Sequence, residues 1–572
     1  MADFTSSRTT IRFGEFELDQ AAGELRRDGT RVRLQEQPLQ VLQILVEHPG
    51  KIIPREELQR RIWPSDTFVD FDHGINNAIK RLREALGDTA ETPRFIETLP
   101  RRGYRFLQPL AERIAEPSIA VLPFLSLSTD PENEIFADGM CEEIISALMQ
   151  INKLHVAART SSFSFKGKHV DLRVIGEQLN VRTVLEGSVR KSGNHLRITA
   201  QLVNATDGYH LWSEKYDREM KDVFAVQEEI ARAIAQRLEV TLDSEQQPLF
   251  RAGTDNLEAF KFYTQGRSLF FQRGPRLLPA VEYLKKAVIV DSKYALAWAA
   301  LADAYNMLGF YGLARPEACL PEARKAAQQA IALDPSLADG HTSLAMSHLF
   351  CDWDRSSAEC EFLRSLELNP RPSSARTWYG LYYLQWVAGR FEEGLEQAKQ
   401  AVQFDPLSAY ARAIKAFTYL PVDPNGCLDA AQETLQIEPD SFLGRWAQLA
   451  ALSLQGRFAE AAEVGESALK VSGRSAWMMA SLARIYAQLG KRTDSESLYM
   501  ELRWRSKREY VAPTVLAWAA CAAGEQDEAI RFAQEAHAIG DPGLIAARYW
   551  PDFAELRKLP AFQEILRSRG WT

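Results

Sequence analysis

The sequence predicts a multidomain protein with an α+β head, a small α/β middle domain and an all-α tail. Its 572 residues exceed what one hydrophobic core supports. Residues 10–108 combine short alternating patterns, typical of strands, with three helical patterns, and residues 118–243 mix strand and helix patterns. From residue 255 onward only helical patterns occur, and they repeat.

Changes of pattern and two short polar linkers set the predicted domain boundaries. We expect a disordered tail at 1–9, the head at 10–108, a linker at 109–117, the middle domain at 118–243, a second linker at 244–254 and the repeats at 255–572.

Composition narrows the class of protein. A net charge of −8 argues against a protein that coats nucleic acid uniformly, but it allows one local basic face. The six cysteines are scattered without metal-ligand spacing, so we expect reduced thiols, no metal and no cofactor. The start of the sequence has no apolar signal region, and every apolar run is far shorter than the roughly 20 residues that cross a bilayer. These features predict a cytoplasmic protein that does not span a membrane.

The head reads as strands around three helices. The pattern predicts strands in "IRFGEFELD" and "GELRRDGTRVRL", with a turn at Asp28-Gly29, and again in "RFIETLPRRGYRFL", which turns near Arg101–Gly103. The three helical patterns cover Gln37–His48, Pro54–Trp63 and Phe71–Asp88.

The third helical pattern has two contrasting faces. Its apolar positions at helical spacing predict a buried stripe of Ile75, Ile79, Leu82 and Leu86. The other side carries Asn77, Lys80, Arg81 and Glu84, flanked by Asn76 and Arg83. A solvated amphipathic helix is the ordinary interpretation. However, Asn and Arg can bond base edges in a major groove, and a hairpin with two arginines follows.

Charge counts favour a third helix that contacts base edges over a merely solvated helix. Residues 1–108 hold 17 Lys and Arg and 17 Asp and Glu, so the head is neutral overall. Residues 80–105 hold seven basic and four acidic residues, which concentrates positive charge on the third helix and the hairpin.

Three segments of the head resemble a known family. "IIPREELQRRIWP", "INNAIKRLREALGD" and "RFIETLPRRGYRF" are similar to the second helix, recognition helix and wing of the OmpR/PhoB-type winged helix-turn-helix domain. The resemblance implies that the third helix enters the major groove of double-stranded DNA and that the wing inserts nearby. It implies DNA contacts by Asn76, Asn77, Lys80, Arg81, Arg101, Arg102 and Tyr104. Arg83 is a further candidate, with a surface salt bridge as the alternative.

Two departures from the family pattern matter. Glu84 stands where such helices usually carry another cation, so this end of the strip is expected to lie outside the groove. No receiver-domain pattern precedes the head, so control is expected from the carboxyl-terminal side. That arrangement resembles CadC-type regulators, many of which have a membrane segment that this sequence does not show.

The middle domain resembles the TolB amino-terminal-like domain. The resemblance is carried by "SIAVLPF", "FADGMCEEIISAL", "VLEGSVRKSGNHLRITAQLVNATDG" and "LWSEKYDR". It contains no Walker loop, G-x-S-x-G elbow or HExxH motif. We interpret the acidic cluster of Asp138, Glu142 and Glu143 as the ordinary preference of helix amino termini for carboxylates, and Ser161 as a turn residue. No catalytic residues are predicted.

The tail has the period of tetratricopeptide repeats. Pro335, Pro370, Pro406 and Pro439 recur every 33 to 36 residues, and Gly456, Gly490 and Gly524 every 34. A helix–turn–helix unit of this length is the signature of that family, and seven to nine units are expected.

One repeat carries an aromatic strip. Tyr379, Tyr383 and Trp386 fall on one side of the first helix, joined by Arg376. The sequence predicts that they face the groove of the solenoid as a docking patch for a peptide segment. The alternative is that the rings pack against neighbouring repeats.

Together these features predict a sequence-specific, one-component transcriptional regulator. The winged helix would bind promoter DNA, and the solenoid would sense a signal or dock a protein. Family resemblance implies binding as pairs on repeated half-sites and contact with RNA polymerase. The alternative is a tetratricopeptide scaffold or adaptor whose winged helix is a docking module. An enzyme is the weakest reading, because no zone offers a convergent acid, base and nucleophile.

Overall fold

The computed structural model describes most of the chain. The described residues are 10–14, 16–19, 23–27, 30–32, 34–62, 71–90, 92–100, 102–108, 111–112, 117–128, 131–149, 151, 154–219, 223–238, 253–369, 371 and 373–570. They form two compact units, residues 1–117 and residues 118–572.

The first unit contains three helices and two small antiparallel sheets. In the larger sheet the strand order is β4-β3-β2-β1-β8, and in the smaller one it is β5-β7-β6. The elements are β1 (Thr10–Phe13), β2 (Phe16–Asp19), β3 (Glu24–Arg27), β4 (Thr30–Val32), α1 (Glu36–Glu47), β5 (Ile52–Ile53), α2 (Arg55–Ile62), α3 (Phe71–Leu86), β6 (Ile96–Leu99), β7 (Gly103–Phe106) and β8 (Ala111–Glu112).

The core of this unit confirms the predicted apolar stripe of α3. Ile75, Ile79, Leu82 and Leu86 are all at most 2% exposed. They pack in one cluster with the apolar face of α1 and with phenylalanines from both sheets. The opposite strip of α3 is thereby held on a rigid support.

The hairpin between β6 and β7 is the predicted wing. Leu99 pairs with Gly103 across its end. Gly103 has a φ of +129°, and a Cβ atom there would overlap the carbonyl oxygen of Ile53. Only glycine therefore lets the wing return so close to β5. The predicted turn residues Asp28, Gly29 and Arg101 lie outside the described residues.

The second unit begins with a mixed sheet. Its order is β11-β9-β12-β13-β14, with β10 paired to β12. The long hairpins predicted from Thr183 onward are present, and the helices cover the sheet. The elements are β9 (Ser118–Val121), β10 (Leu125–Ser126), α4 (Pro131–Met149), β11 (His155–Val156), α5 (Arg159–Phe163), α6 (Leu172–Leu179), β12 (Thr183–Ser192), β13 (His195–Asn204), β14 (His210–Glu219) and α7 (Val223–Arg237).

One predicted strand of this unit is wrong in part. The pattern "LHVAART" predicts a strand over residues 154–160, but only β11 is extended and Arg159 begins α5. The cause is a contact distant in sequence. The carboxylate of Asp405 accepts hydrogen bonds from the backbone N–H (3.1 Å) and hydroxyl (2.5 Å) of Ser161, and the Leu407 N–H donates to the same hydroxyl (2.8 Å). This buried contact joins the α/β part to the repeats.

The remainder of the second unit is a solenoid of helix pairs, the architecture that the tetratricopeptide pattern predicts. Within residues 253–570, eight antiparallel helix pairs follow one another, and α24 closes the chain after three short 3₁₀ turns. The helices are α8 (Leu257–Gln272), α9 (Leu277–Val290), α10 (Ala295–Phe310), α11 (Pro316–Leu333), α12 (Ala338–Ser347), α13 (Arg355–Leu368), α14 (Ser373–Trp378), α15 (Phe391–Phe404), α16 (Ala409–Tyr419), α17 (Pro424–Ile437), α18 (Phe442–Leu454), α19 (Phe458–Val471), α20 (Ala476–Gln488), α21 (Arg492–Arg505), α22 (Pro513–Ala523), α23 (Gln526–Ala538) and α24 (Pro560–Ser568).

Small residues let the paired helices approach. A Cβ atom added to Gly394 would lie 2.7 Å from the backbone oxygen of Gly380 on the partner helix. Two first helices change their winding, because α12 and α14 continue as π-helical segments at His348–Asp352 and Tyr379–Ala388. No helix in the described ranges combines the length and apolar content needed to cross a bilayer.

Candidate nucleic-acid interface

The exposed strip of α3 is the centre of the candidate interface. Asn76, Asn77, Lys80, Arg81 and Glu84 are exposed, directly opposite the buried stripe. Neither Asn77 nor Lys80 has a side-chain hydrogen bond or ion pair with another described residue. Their amide and ammonium groups are therefore available to a ligand without loss of an internal contact.

Asn76 is exposed but already engaged. Its Oδ1 accepts hydrogen bonds from the hydroxyl group of Tyr104 at 2.9 Å and from Nη2 of Arg55 at 3.1 Å. The same Arg55 nitrogen lies 2.8 Å from the Tyr104 hydroxyl oxygen, and the guanidinium stacks over the ring at 5.1 Å. This network ties α3 to α2 and to the wing strand β7, and it fixes the orientation of the Asn76 amide.

Tyr104 therefore lies differently from the prediction that it contacts DNA. Its side chain belongs to the core, with 2% of the residue exposed. The ring points inward because strand β7 alternates, which leaves only the hydroxyl group to reach Asn76. We interpret Tyr104 as a positioning residue.

Replacing Tyr104 by phenylalanine tests this interpretation. The variant keeps the ring but removes both hydrogen bonds of the hydroxyl group, of which the bond to Asn76 typically contributes about 0.5–1.5 kcal/mol. We expect the affinity for DNA to fall by a factor of about 2–12, because Asn76 loses its orientation. Fluorescence anisotropy with labelled duplex DNA measures the change, and equal affinity of variant and wild type would contradict the proposed network.

The two arginines of α3 differ from each other. Arg81 is exposed and donates a hydrogen bond to Oε1 of Gln35, just before α1. Arg83 is half-buried and donates from Nη2 to the carbonyl oxygen of Ile96 at 2.7 Å and to Oγ1 of Thr98 at 2.9 Å. Arg83 thus braces the helix against the wing, which argues against a direct contact with DNA.

The wing supplies the remaining predicted cations. Arg102 is exposed at the turn, whereas Arg101 lies outside the described residues. Arg105 is neutralised by Glu97, with a distance of 2.8 Å between Nε and Oε2. The basic groups left exposed on the described part of this surface are therefore Lys80, Arg81 and Arg102.

Asp88 is a positioning residue that the sequence analysis missed. Its buried carboxylate accepts hydrogen bonds from the backbone N–H groups of four residues. The distances are 3.0 Å to Thr89, 2.6 Å to Arg94, 3.1 Å to Phe95 and 2.8 Å to Ile96. The side chain thereby fixes the loop between α3 and β6 and sets where the wing starts. An aspartate after a helix-ending glycine, ahead of a strand, was the available signal.

The predicted peptide-binding patch of the solenoid is not formed. Tyr379, Tyr383 and Trp386 are 3%, 6% and 6% exposed. Both tyrosine hydroxyl groups donate to the carboxylate of Glu359, at 3.0 and 2.9 Å, and Trp386 packs on Trp550 with ring centroids 5.8 Å apart.

Two features explain this correction. The segment Tyr379–Ala388 is π-helical, so the α-helical period that predicted an outward strip does not apply. Trp550, in the carboxyl-terminal segment that follows α23, also covers these rings. Arg376 is likewise buried, and its Nη1 donates to Oε1 of Gln397 at 2.6 Å. In the structure the rings pack against neighbouring parts of the solenoid, as in the alternative interpretation.

Two protein families match the chain. Residues 29–106 match the family described as transcriptional regulatory protein, C terminal. Residues 115–233 match the second domain of HilA/YgeH-like transcriptional regulators. The second match covers most of the predicted middle domain, whose resemblance to TolB stays a prediction.

Relatives and a solved structure are similar to parts of this chain. The transcriptional regulator HilA of Salmonella typhi is 23% identical over 404 residues, which are 69% of this chain and 70% of HilA. A putative adenylate cyclase 3 of Rhizobium meliloti (strain 1021) is 39% identical over 258 residues, and this match spans 44% of this chain and 43% of that protein. The crystal structure of the Klebsiella pneumoniae RstA DNA-binding domain in complex with RstA box is 31% identical, covers 17% of this chain and 96% of that one, and has a TM-score of 0.16.

The two family matches fall on the domain that carries the exposed strip of α3 and on the domain that follows it. The chain therefore carries an OmpR/PhoB-type winged-helix DNA-binding domain and the second domain of HilA/YgeH-like regulators, which places it among the DNA-binding transcription regulators.

Proposed function

We propose that this protein is a sequence-specific, one-component regulator that binds promoter DNA with α3 in the major groove. The observation that carries the proposal is the exposed strip of α3, where Asn77 and Lys80 have no partner among the described residues and the opposite face is anchored in the core. A rigid support of this kind is what direct readout of base edges requires.

The structure suggests distinct roles along this surface. Lys80 and Asn77 would contact base edges, and Arg81 would exchange its bond to Gln35 for DNA. Asn76 would donate from its amide nitrogen, since its oxygen is already bonded. Arg102, with Arg101 beside it in sequence, would contact phosphates or the adjacent groove and set the register.

Replacing Lys80 by alanine is the direct test. A good base contact contributes about 1–3 kcal/mol of discrimination, so we expect affinity for the preferred sequence to fall roughly 5- to 150-fold and affinity for random DNA to fall less. The preferred sequence is first selected from genomic fragments, and both affinities are then measured by anisotropy as a function of salt.

Arg31→Ala is the matched control. Arg31 carries the same charge on β4, its side chain is 69% exposed, and it lies outside the proposed interface. If the wild-type protein shows no preference among fragments, or if both variants lose affinity equally for all DNA, base readout by α3 is wrong. The alternative then gains, namely a tetratricopeptide adaptor whose winged helix docks another protein.

We also propose that regulation comes from the second unit. The buried contact between Ser161 and Asp405 supports this, because it couples the HilA/YgeH-like domain to the solenoid. A ligand bound by the solenoid would thus change the conformation of the domain that follows the winged helix. The resemblance further suggests binding as pairs on half-sites and contact with RNA polymerase in the cytoplasm. Sedimentation with and without a two-site duplex tests the pairing.

The regulator is proposed to act without catalysis. Burial raises the pKa of the Cys319 and Cys427 thiols to about 12, so neither is an activated nucleophile. The Ser161 hydroxyl is buried and bonded to Asp405, without a neighbouring histidine among its described partners. The putative adenylate cyclase 3 is a relative that this chain matches over less than half of either length. Formation of cyclic AMP from ATP and Mg²⁺ by the purified chain would overturn the proposal.

A further inference from the structure

The second unit contains a partly open cavity of about 1240 Å³. It lies between the α4–α5 side of the α/β part and the inner helices of the solenoid, and all of its lining belongs to the described residues. This volume exceeds the 300–1,000 Å³ typical of small-molecule sites. The cavity therefore has room for an organic ligand at the junction that couples the two parts of the unit.

One wall of the cavity is rich in arginine. Arg159 and Arg267 share a single carboxylate, that of Glu142, at 3.0 and 3.5 Å. Arg273 is the third cation, and it pairs with no carboxylate in the described part of the chain. The wall therefore carries more positive than negative charge.

Arg273 is held in place by aromatic rings. Its guanidinium carbon lies 4.1 Å from the ring centroid of Phe270 and 4.9 Å from that of Tyr410. Stacking fixes the guanidinium plane, and it leaves the N–H groups at the edge free to donate. Such an arrangement suits the two oxygens of a carboxylate or phosphate group.

The backbone of Arg273 is strained. Its φ of +59° and ψ of −169° lie in a region that side chains other than glycine rarely adopt. The strain costs free energy of folding, yet it places the side chain between the two rings. Strained residues of this kind concentrate at ligand-binding positions.

Four buried donors on residues of the cavity wall lack an acceptor. They are Nε of Arg267, Nη1 of Arg273, Nε1 of Trp477 and the hydroxyl group of Tyr510, and none reaches a hydrogen-bond acceptor among the described residues. Buried polar groups are normally bonded, so each of these calls for an explanation. These atoms are covered by neighbouring groups, so they do not themselves contact an occupant of the cavity.

The carboxylates on the cavity wall repel a bound anion less strongly than their number suggests. Asp303 accepts a hydrogen bond from Ser343 at 2.5 Å, and burial raises the pKa of Asp303 to about 7. Burial likewise raises the pKa of Asp339. Asp405 is bonded to Ser161. These groups therefore contribute less free negative charge than exposed carboxylates would.

The cavity also presents apolar surface. Phe271, Leu278 and Val471 line it and remain 37%, 48% and 38% exposed, although large apolar side chains are usually covered. An occupant with an apolar body would cover them. The cationic wall and the apolar surface thus describe one amphipathic ligand.

We propose that this cavity binds an organic anion, a carboxylate, phosphate or sulfonate on an apolar body, with Arg273 contacting the anionic group. The binding step stands on the second unit alone. Only its role as the regulatory signal rests on the proposed function.

The test uses a matched pair of fluorescent probes on the full chain. 1-Anilinonaphthalene-8-sulfonate carries an aromatic body and one oxyanion, whereas N-phenyl-1-naphthylamine has the same body without charge. We expect the sulfonate to bind once per chain, with energy transfer from Trp477 on the cavity wall. Arg273→Gln should weaken sulfonate binding tenfold or more and leave binding of the neutral probe unchanged.

Two further variants complete the test. Arg531→Gln removes an exposed arginine that also stacks on a ring, Phe532, but does not line the cavity, so it should bind the sulfonate like wild type. Leu278→Trp adds bulk to a half-exposed side chain on the wall and should abolish binding of both probes, whether or not Arg273→Gln folds. Equal sulfonate affinity of wild type, Arg273→Gln and Leu278→Trp would overturn the site.

DNA affinity with and without saturating sulfonate separates this inference from the proposed function. A site that follows these expectations in a chain that never binds DNA would leave the ligand site standing and the regulator proposal refuted. Preferred DNA binding with no sulfonate binding would refute only the site.

Discussion

Replacing Asp552 by alanine is expected to destabilise the second unit by about 3–5 kcal/mol. The Asp552 carboxylate is fully buried and accepts bonds from Nε of Arg484 at 2.6 Å, from the Ser481 hydroxyl at 2.9 Å and from Nε1 of Trp550 at 3.0 Å. The variant would leave the Arg484 charge buried beside two unpaired donors. Because the pair ties the carboxyl-terminal segment to the solenoid, that segment should detach first.

Urea unfolding followed by tryptophan fluorescence measures this loss. Of the twelve tryptophans only Trp63 belongs to the first unit, so the signal reports the second one. Asp440→Ala is the control, because its carboxylate is 85% exposed and lies 3.7 Å from Arg445. An exposed pair contributes about 0–1 kcal/mol. Similar midpoints for both variants would show that the buried pair does not anchor the segment.

Local patterns predicted most of the fold. The stripe of α3, the hairpins after Thr183 and the helix pairs of the solenoid follow from hydrophobic period and turn residues alone, and the structure has all three. The errors occur where a distant residue decides the conformation. Helix α5 replaces a predicted strand because Asp405, 244 positions away, bonds Ser161. No window of sequence around Ser161 contains that information.

In the candidate interface, too, local patterns predict the exposure of side chains but not their contacts with distant residues. Exposure of Asn77, Lys80 and Arg102 follows from helical phase and turn position, and the structure places all three at the surface. Arg83 and Tyr104 were predicted to contact DNA from their position in the motif. Both side chains instead form hydrogen bonds with strands or helices that lie elsewhere in the sequence. A sequence motif predicts the backbone position of a side chain, but not the residue with which that side chain forms a hydrogen bond.

The aromatic strip of the solenoid failed for a further reason. Its prediction assumed ideal α-helical geometry for Tyr379–Ala388, which the structure replaces by π-helical winding. The rings join a continuous aromatic core in which Trp386 contacts Phe310 and Trp550. Burial of such large aromatic side chains stabilises the folded state more than leaving them exposed as a docking patch would. The second unit therefore offers a partly open cavity lined by other residues, rather than a docking patch at Tyr379, Tyr383 and Trp386.

Replacing Asp88 by alanine is expected to destabilise the first unit by about 2–6 kcal/mol and to abolish preferential DNA binding. The carboxylate serves four backbone N–H groups, and the N–H groups of Phe95 and Ile96 are buried. Each buried donor left without an acceptor costs about 1–3 kcal/mol. The loop after α3 would lose its anchor, so the wing that carries Arg102 would no longer be held beside α3.

Hydrogen exchange and DNA anisotropy together check this result. Faster exchange at the amides of residues 94–96, with unchanged exchange in the solenoid, would assign the loss to the first unit. Thr92→Ala is the matched control, because the Thr92 hydroxyl makes only an exposed bond to Thr89 in the same loop, at 2.9 Å. That variant should bind DNA as wild type does. If Asp88→Ala retained sequence preference while its loop exchanged freely, α3 alone would account for readout and the wing would have no part in it.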